Sequence, residues 1–277
     1  MSILSAVVLG IIQGIAEFLP ISSSGHLAIA QNLLGLRIEG STDGTFDILL
    51  HLGTLIAVFI AYWPDIRDMI REFFLGIRDL AKGTTPTPVP PSRRMILLII
   101  IGTLPLFAIV PIKDFIEGLG ANTVVVGCAL LVTGVLLFFS DRHNRGKKTE
   151  NNVRLRDVFI IGIAQAFATV PGLSRSGTTV SVGCFLGLDR RFALRYSFLM
   201  SIPAILGANI LSLKDTLEVG IDPALIPAYI SGVITAAFLG YLSIRLLKLI
   251  TDKGKFGAFS YYCWVVGALT IVFSIIL

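Results

Sequence analysis

The chain consists of long apolar windows separated by short polar segments, a pattern that predicts membrane-spanning helices. Six windows are long enough to cross the hydrocarbon core of a bilayer, which takes about 20 residues in an α-helix. They cover residues 45–62, 95–112, 122–140, 192–213, 224–247 and 257–276. Because no polar block is long enough to form a second domain, we expect an all-α integral membrane protein with one domain over residues 1–277.

Two further apolar windows are interrupted by polar and helix-breaking residues. The first, 3–36, is broken by Pro20 and the Ser-Ser-Ser-Gly run that follows it, and the second, 156–188, is broken by Val-Pro-Gly-Leu-Ser-Arg-Ser-Gly. Each window is either one long broken crossing or a re-entrant hairpin of two half-helices, which leaves the membrane on the side that it entered.

The distribution of Lys and Arg favours re-entrant hairpins. If both windows are re-entrant, loops on one side carry 19 Lys and Arg, and the other side carries only Arg37, Lys113 and Lys214. If both windows cross, the same residues split 13 against 9. Cytoplasmic loops are enriched in Lys and Arg. We therefore expect six transmembrane helices and two re-entrant hairpins, with the basic loops in the cytoplasm and both chain termini outside.

The sequence also contains an internal repeat at an offset of 152 residues. Ten of 27 ungapped positions are identical, and we recognise the repeat from eight of these identities. The first-copy residues are Gly10, Gln13, Ser22, Ser24, Gly25, Leu34, Gly35 and Leu36. Each half, about 1–140 and about 153–277, then holds one hairpin and three spans, and an odd number of spans inverts the second copy. We expect an inverted-topology repeat whose broken helices meet near the membrane midplane.

Composition agrees with a membrane protein and excludes other classes. Charged residues are 15% of the chain and the mean hydropathy is +0.83, whereas soluble domains carry about 25% charged residues. The net charge of +5 does not indicate a nucleic-acid partner, because the basic residues lie between apolar windows. The three cysteines lie within apolar windows, so we expect small core residues rather than disulfides or a metal site. No removed signal peptide is expected at the start of the chain.

One face of the first half-helix carries a narrow polar stripe. Gly10, Gln13, Gly14 and Glu17 fall at positions i, i+3, i+4 and i+7, which share one side of an α-helix. A carboxylate at membrane depth is costly unless it lines a polar cavity or meets a partner. We therefore expect Glu17 to have one of these two environments.

The serines that follow each break are favourable N-cap residues for a second half-helix. In the first hairpin they precede a half-helix expected over about 26–36; in the second, Ser174 and Ser176 precede one expected to begin near residue 178. Arg175 lies between these two serines. Helix N-termini attract anions, and an Arg guanidinium matches phosphate oxygens bidentately. Together these groups predict a receptor for phosphate groups.

Simpler structural roles exist for each of these residues alone. Serines in membrane helices often bond only backbone carbonyls, and Glu17 and Arg175 could form a structural ion pair. His26 could pack between helices, Gln165 could be structural, and Asp47 could be an interfacial residue. These roles do not explain why so many polar groups occur together at the breaks of both repeat copies.

The motifs at the two breaks resemble those of a known family. Gln13-Gly-Ile-Ala-Glu17 is similar to its Glu/Gln-x-x-x-Glu motif, and Pro171-Gly-Leu-Ser-Arg-Ser-Gly-Thr-Thr179 to its Pro-Gly-x-Ser-Arg-Ser-x-x-Thr motif. Ser-Ser-Ser-Gly-His26 and the length and hydropathy of the whole chain fit as well. On these residues the chain resembles the undecaprenyl-diphosphate phosphatase family, the bacitracin-resistance proteins of bacterial membranes. Because the first motif begins with Gln here, the ionised role falls to Glu17.

This resemblance implies an activity and a location. The activity is hydrolysis of undecaprenyl diphosphate to undecaprenyl phosphate and inorganic phosphate, which recycles the lipid carrier for peptidoglycan and other envelope polymers. The implied location is the bacterial cytoplasmic membrane, with an active site that faces outward. The resemblance also implies a divalent cation, magnesium or calcium, as cofactor. An oligomer is compatible with the sequence.

The resemblance also suggests residue roles. Arg175 would clamp the diphosphate, and Glu17 would hold the metal or act as a base. Ser23 would be the nucleophile and His26 the proton-transfer group, although these two roles can be exchanged, and a metal-activated water is a third nucleophile. The remaining substrate-binding candidates are Gln13, Ser22, Ser24, Ser174, Ser176, Thr178 and Thr179.

A transporter is the competing class, because inverted repeats with broken helices and a midplane site are also a transporter design. A lipid-phosphate flippase would need the same anion site but no nucleophile. Phosphate release by purified protein in detergent, where transport has no meaning, distinguishes the two functions.

Overall fold

The computed structural model describes residues 3–32, 35, 45–84, 86–143, 146–219, 222–252 and 254–276. Within these residues the chain is helical, and the one β-type pairing is an isolated bridge between Lys148 and Leu188. The expected all-α class is confirmed. Arg37, which was expected on the side of the membrane opposite the basic loops, lies outside the described part of the chain.

Twelve α-helices occur in the described residues. They are α1 Ile3–Ala16, α2 Ser23–Asn32, α3 Thr45–Ala61, α4 Trp63–Ala81, α5 Pro91–Thr103, α6 Lys113–Gly118, α7 Thr123–His143, α8 Leu155–Phe167, α9 Arg175–Phe185, α10 Arg190–Val219, α11 Ile226–Asp252 and α12 Ala258–Ile276. Short 3₁₀ turns follow α5, and Pro105 lies in the first of them. This proline cannot donate a backbone hydrogen bond, so α5 ends earlier than the expected window 95–112.

Five helical segments of the described chain are long and apolar enough to cross a membrane. They are Pro91–Ala121, Thr123–His143, Arg190–Leu211, Pro223–Asp252 and Ala258–Ile276. Helices α3 and α4 meet at 83° and count as a sixth span if the bent pair is one crossing. Five of the six predicted spans are thus confirmed as span-length helical segments, and the sixth window, 45–62, corresponds to α3. The protein is therefore a multi-pass membrane protein.

Helix α4 lies between the predicted spans 45–62 and 95–112, in residues 63–94, which we expected to form one of the basic cytoplasmic loops. Pro64 stands in its first turn, a position that suits proline. The helix carries exposed apolar side chains, such as Phe73 and Phe74, beside charged residues. It therefore lacks the continuous apolar run by which spans are recognised. Arg93 of α5 contacts carboxylates of α4 at 2.9 and 3.1 Å, which ties the two helices together.

The cysteines are free, as expected, and none forms a disulfide. Cys184 and Cys263 are buried, but Cys128 is exposed on α7. The prediction of a core position was therefore wrong for Cys128. An apolar window does not show which face of a membrane helix points outward, because lipid-facing and core-facing side chains are both apolar.

Both predicted helix breaks are confirmed. Helix α1 ends at Ala16 and α2 begins at Ser23, while α8 ends at Phe167 and α9 begins at Arg175. The second half-helices begin three residues earlier than expected, because the capping residue is the first serine after each break. The predicted half-helix end at residue 36 lies outside the described residues.

The two breaks pack against each other through contacts that the repeat relates. A Cβ atom on Gly25 would lie 3.0 Å from Gly172 Cα, and one on Gly177 would lie 3.2 Å from Pro20 Cβ. An offset of 152 residues converts each contact into the other, because it pairs Gly25 with Gly177 and Pro20 with Gly172. The sequence repeat is therefore also a repeat in packing, and it brings both breaks to one place.

Aromatic side chains close the space beside the first break. Phe18 is fully buried next to Glu17 in the chain, and its ring meets Phe198 edge-on with centroids 5.5 Å apart. Tyr62 packs on the same ring at 5.9 Å. Such pairs contribute about 0.5–1.5 kcal/mol each beyond area burial. They hold the end of α1 against α10, where the polar groups described next are found.

Candidate active site

Glu17 is the centre of a buried polar cluster. Its side chain accepts a hydrogen bond from Arg175 Nη2 on Oε1 and from Ser23 Oγ on Oε2, both at 2.6 Å. Gln13 Nε2 donates to Oε2 at 3.2 Å. Glu17 is only 8% exposed, and these donors compensate the cost of burying a carboxylate. Of the two predicted environments for Glu17, the structure shows a partner charge.

Three helix ends position this cluster. Gln13 and Glu17 lie one turn apart at the end of α1, where the Glu17 N–H bonds the Gln13 carbonyl at 2.9 Å. Ser23 is the first residue of α2, and Arg175 is the first residue of α9. The predicted site residues from both repeat copies therefore meet because the two breaks pack against each other.

The serines before α2 and α9 act as equivalent helix caps. Ser22 Oγ accepts from the Gly25 N–H at 3.2 Å, and Ser174 Oγ accepts from the Gly177 N–H at 3.0 Å. Each capping hydroxyl also lies near a second serine: Ser22 Oγ is 3.3 Å from Ser24 Oγ, and Ser174 Oγ is 3.2 Å from Ser176 Oγ. The hydroxyls of Ser22 and Ser174 thus already accept from backbone N–H groups, which is the N-cap role expected for the serines after each break.

Ser22 has a backbone conformation that is uncommon for a residue with a side chain. Its φ is +71°, in the left-handed region that favours glycine. Such residues persist where the surroundings impose the conformation, and they cluster at functional sites. Here the conformation reverses the chain, so that α2 begins directly beside the end of α1.

Arg175 is held by α10 as well as by Glu17. Its Nη1 donates to the Ser197 carbonyl at 3.3 Å. Thr179, one turn further along α9, donates to the Arg175 carbonyl at 2.9 Å, and its hydroxyl lies 2.7 Å from Ser197 Oγ. The guanidinium therefore spans a carboxylate and a backbone carbonyl. Sequence analysis did not identify Ser197, because it is one of several hydroxyl residues in an apolar span.

A second residue that sequence analysis did not identify is His51 on α3. Its Nε2 lies 3.8 Å from Glu17 Oε2, and its Nδ1 lies 2.7 Å from the Asp47 carbonyl. The side chain is 31% exposed, whereas that of Glu17 is 7% exposed. His51 therefore stands between the buried carboxylate and the surface. A lone histidine in an apolar window gives no sign of this contact, which joins residues 34 positions apart.

The structure places His26 of α2 at the edge of the cluster, against Tyr262 of α12. Its Nδ1 is 2.8 Å from the Ser22 carbonyl, and its Nε2 is 2.8 Å from the Tyr262 hydroxyl. The two rings are stacked with centroids 5.6 Å apart. Because a carbonyl only accepts, Nδ1 carries a proton, and Nε2 of the neutral ring accepts from Tyr262. A proton-transfer role requires Nε2 to exchange Tyr262 for the substrate.

Three buried polar side chains near the breaks have unsatisfied atoms among the described residues. They are the Gln13 amide oxygen, both amide atoms of Gln165, and the Thr178 hydroxyl. Buried polar groups are normally hydrogen-bonded, so such exceptions require an explanation. Gln13 and Thr178 are substrate-binding candidates, and a bound phosphate or cation would supply the missing partners.

A divalent cation would find few protein ligands around Glu17, because no cluster of three or more His, Cys, Asp or Glu side chains occurs in the described part of the chain. The carboxylate of Glu17 is the anionic ligand there, and His51 Nε2 lies 3.8 Å from it, whereas Gln13 presents its amide nitrogen to the carboxylate. Magnesium is usually bound by one or two carboxylates together with substrate phosphates rather than by an all-protein cage. The small donor set is therefore compatible with a cation that arrives with a phosphate substrate.

Comparison with known proteins extends over the whole chain. A family model described as "Bacitracin resistance protein BacA" matches residues 6–269. Over 282 aligned residues, the chain is 42% identical to an undecaprenyl-diphosphatase of Methanosphaera stadtmanae, and the match covers 100% of both chains. It is 42% identical to that of Alkaliphilus metalliredigens, again over 100% of both chains, and 40% identical to that of Halothermothrix orenii, over 99% of both.

Proposed function

The chain belongs to the bacitracin resistance protein BacA family, and from this membership and the geometry around Glu17 we propose that it hydrolyses undecaprenyl diphosphate to undecaprenyl phosphate and inorganic phosphate. The full-length relatives that carry the name undecaprenyl-diphosphatase support this substrate. The product is the lipid carrier for peptidoglycan and other envelope polymers. The reaction therefore contributes to cell-wall synthesis, cell shape and resistance to bacitracin.

The hydrogen bond between Ser23 Oγ and Glu17 Oε2, at 2.6 Å, carries this proposal. A nucleophile within hydrogen-bond reach of a base, with the base oriented by a third group, is the usual arrangement for covalent catalysis. Arg175 is the third group, because it contacts the other oxygen of the same carboxylate. A purely structural ion pair between Glu17 and Arg175 does not require a serine hydroxyl on the second oxygen.

The first step of the proposed reaction forms a phosphoserine. Ser23 gives its proton to Glu17, and Ser23 Oγ attacks the terminal phosphorus. The bond from this phosphorus to the bridging oxygen breaks, and the proton passes from Glu17 to the departing undecaprenyl phosphate. Arg175 stabilises the negative charge that develops on the phosphate oxygens.

The second step releases inorganic phosphate. Water attacks the phosphoserine and gives a proton to Glu17, which returns it to Ser23 Oγ as the bond between serine and phosphorus breaks. The net reaction consumes one water molecule. His26 and a metal-activated water remain the alternative nucleophiles, and they would leave no phosphoserine.

The phosphate groups would bind at the N-termini of α2 and α9. Both helix starts lie at the breaks, so their free N–H groups and the guanidinium converge on one place. Thr178 has a buried hydroxyl that lacks a partner among the described residues, and a phosphate oxygen would accept from it. The other candidates are Gln13, Ser22, Ser24, Ser174, Ser176 and Thr179.

A divalent cation, magnesium or calcium, would be held by Glu17 together with the substrate phosphates. When bound, it would supply charge neutralisation to the diphosphate. The chain's own contribution is a carboxylate that three donors already orient.

The finer topology also belongs to this proposal. We expect two re-entrant hairpins, 3–36 and 156–188, in an inverted repeat, with both termini outside and the site facing outward from the bacterial cytoplasmic membrane. The repeat-related contacts between the breaks and the distribution of Lys and Arg support this topology. The polyprenyl tail would lie on the apolar face of α3 that begins beside His51, includes Leu52, Ile56, Phe59 and Ile60, and continues to Trp63 at the start of α4.

Phosphate release by purified protein in detergent tests the proposed function. The parent should release phosphate from undecaprenyl diphosphate, and Ser23→Ala should release it at least about a hundredfold more slowly. Acid-quenched reactions with substrate labelled on the terminal phosphate should trap a phosphoserine in the parent. Absence of phosphate release from folded parent protein, with lipid transport retained in vesicles, would instead favour the flippase.

A further inference from the structure

Helix α4 is amphipathic, and its apolar face is exposed. Ile70, Phe74 and Ile77 are exposed and fall at positions i, i+4 and i+7, which share one face of the helix. The axis of α4 makes an angle of 83° with that of α3, so if α3 crosses the bilayer, α4 runs nearly parallel to the membrane plane. Amphipathic helices in this orientation lie at the boundary between lipid headgroups and acyl chains.

The carboxylates of α4 point toward the rest of the protein. Asp65 contacts Arg195 of α10 at 2.5 Å, and Glu72 and Asp79 contact Arg93 of α5 at 3.1 and 2.9 Å. The sequence of α4 contains four acidic and three basic residues, which by itself does not indicate an anion site. The ion pairs show that three of the four carboxylates lie on the side of the helix that faces α5 and α10.

The arginines of α4 point away from the protein. The side chains of Arg67 and Arg78 are 65% and 60% exposed, whereas those of Glu72 and Asp79 are 18% and 16% exposed. Arg71 is exposed as well. Arg67, Arg71 and Arg78 fall at i, i+4 and i+11, so they form one row along the helix. We call these three residues the arginine row.

The contacts that the arginine row makes within the protein are weak. Arg67 and Arg78 each contact the carboxylate of the next residue, at 3.0 and 3.5 Å. Exposed ion pairs of this kind contribute little to stability. An anion from outside the protein can therefore replace them at low cost.

An apolar groove borders the arginine row. The groove has a volume of about 450 Å³, lies between α4 and the neighbouring helices α3, α5 and α10, and includes Ile70 and Phe74 in its wall. Ile70 lies one turn after Arg67, and Phe74 lies one turn after Arg71. A ligand with an apolar chain in the groove would therefore have its polar end beside the arginines. A phospholipid has both parts at this spacing.

We propose that α4 binds an anionic phospholipid, whose headgroup contacts the arginine row and whose acyl chain enters the groove. A guanidinium matches phosphate oxygens with its planar fork, and clusters of basic residues beside a membrane attract anionic lipids. The expected topology places this surface on the cytoplasmic side, where anionic lipids make the leaflet negative. The proposal does not rest on the proposed hydrolysis, because the cluster around Glu17 contains no residue of α4.

Quenching of Trp63 fluorescence by brominated lipids tests which lipid lies beside the row. Trp63 is exposed and lies one turn before Arg67, and Trp264→Phe removes the only other tryptophan of the chain. The full chain is reconstituted in phosphatidylcholine that contains equal fractions of either brominated phosphatidylglycerol or brominated phosphatidylcholine. Phosphatidylglycerol should associate at least about fivefold more strongly, because one basic residue near the membrane surface contributes about this factor. High salt should reduce the preference.

Substitutions in the row locate the preference. Arg67→Gln/Arg71→Gln/Arg78→Gln should abolish it. Arg71→Gln alone should lower it, and this single change at an exposed position should not disturb folding.

A matched control removes the same charge elsewhere. Arg156→Gln/Arg191→Gln/Arg245→Gln changes three exposed arginines of other helices and should leave the preference at Trp63 unchanged. A preference that survives the triple change in the row, or that the control also removes, overturns the proposal. Protection of Trp63 from both brominated lipids, which a second copy of the chain on this face would cause, overturns it as well.

Discussion

Replacing Arg175 with lysine separates a phosphate clamp from a simple counter-ion. The guanidinium contacts Glu17 Oε1 at 2.6 Å with one terminal nitrogen and the Ser197 carbonyl at 3.3 Å with the other. A lysine ammonium keeps the positive charge but is a point donor rather than a planar fork. It can therefore replace the contact to Glu17 and cannot hold the carbonyl and a phosphate oxygen in the same geometry.

The size of the effect follows from what lysine fails to replace. If Arg175 grips the diphosphate as charge develops on the leaving phosphate, the loss resembles removal of a preorganised oxyanion donor, about 2–4 kcal/mol. This corresponds to about 30- to 1,000-fold in kcat/KM, because each 1.36 kcal/mol is tenfold. Since the group acts on bound substrate as well as on the transition state, KM should rise and kcat should fall.

The assay is steady-state phosphate release by purified, monodisperse Arg175→Lys protein. Arg190→Lys is a matched control, because Arg190 also places one terminal nitrogen on a carboxylate, Asp141 at 2.7 Å, and the other on a backbone carbonyl at 3.3 Å. This control lies outside the proposed site and should retain activity within about threefold of the parent. Similar retention by Arg175→Lys would refute the clamp and leave only the structural ion pair.

Three further predictions address the base, the topology and the packing of the breaks. Glu17→Gln keeps the shape of the side chain but removes its charge, so phosphate release should fall by about a hundredfold or more; near-normal turnover of folded variant would remove Glu17 from the chemistry. Single cysteines can be placed at Arg78, Lys147 or Asp43 in a cysteine-free background; Asp43 lies outside the described residues. In intact cells, an impermeant thiol reagent should label the cysteine at Asp43 but not those at Arg78 and Lys147. Labelling at all three positions contradicts the re-entrant topology. Gly177→Leu should lower thermal stability and activity together, because a Cβ atom there already lies 3.2 Å from Pro20; unchanged stability in a thermal melt would show that the breaks do not pack closely.

The parts of the fold that were predictable depend on local signals. Proline and the serine runs mark both helix breaks, and the repeated motif indicates that both breaks serve one site. The start of α9 was misplaced by three residues although its cap, Ser174, has an ordinary φ of −76°. The start of α2 was misplaced by three residues because its cap is Ser22, which adopts φ +71°. A left-handed serine is uncommon, so local preference favours a later serine as the cap.

The parts that were not predictable depend on contacts between distant segments. His51 and Ser197 lie in apolar spans, where polar residues most often serve helix packing. Only the approach of α3 and α10 to the breaks gives these residues partners in the site. Helix α4 was missed for a different reason: it mixes charged and apolar residues with a helical period, and a search for continuous apolar runs excludes it.

The two repeat copies have diverged in a way that leaves one composite site instead of two equivalent ones. At the 152-residue offset, Glu17 corresponds to Thr169, and Ser23 corresponds to Arg175. The first copy therefore supplies a carboxylate and a hydroxyl, and the second supplies the guanidinium that pairs with the carboxylate. Neither break alone could hold a buried charge at low cost. Together they form a neutral pair of Glu17 and Arg175, in which Ser23 donates to the carboxylate oxygen that Arg175 does not contact. Contact between the breaks is thus a condition for the chemistry as well as for the fold.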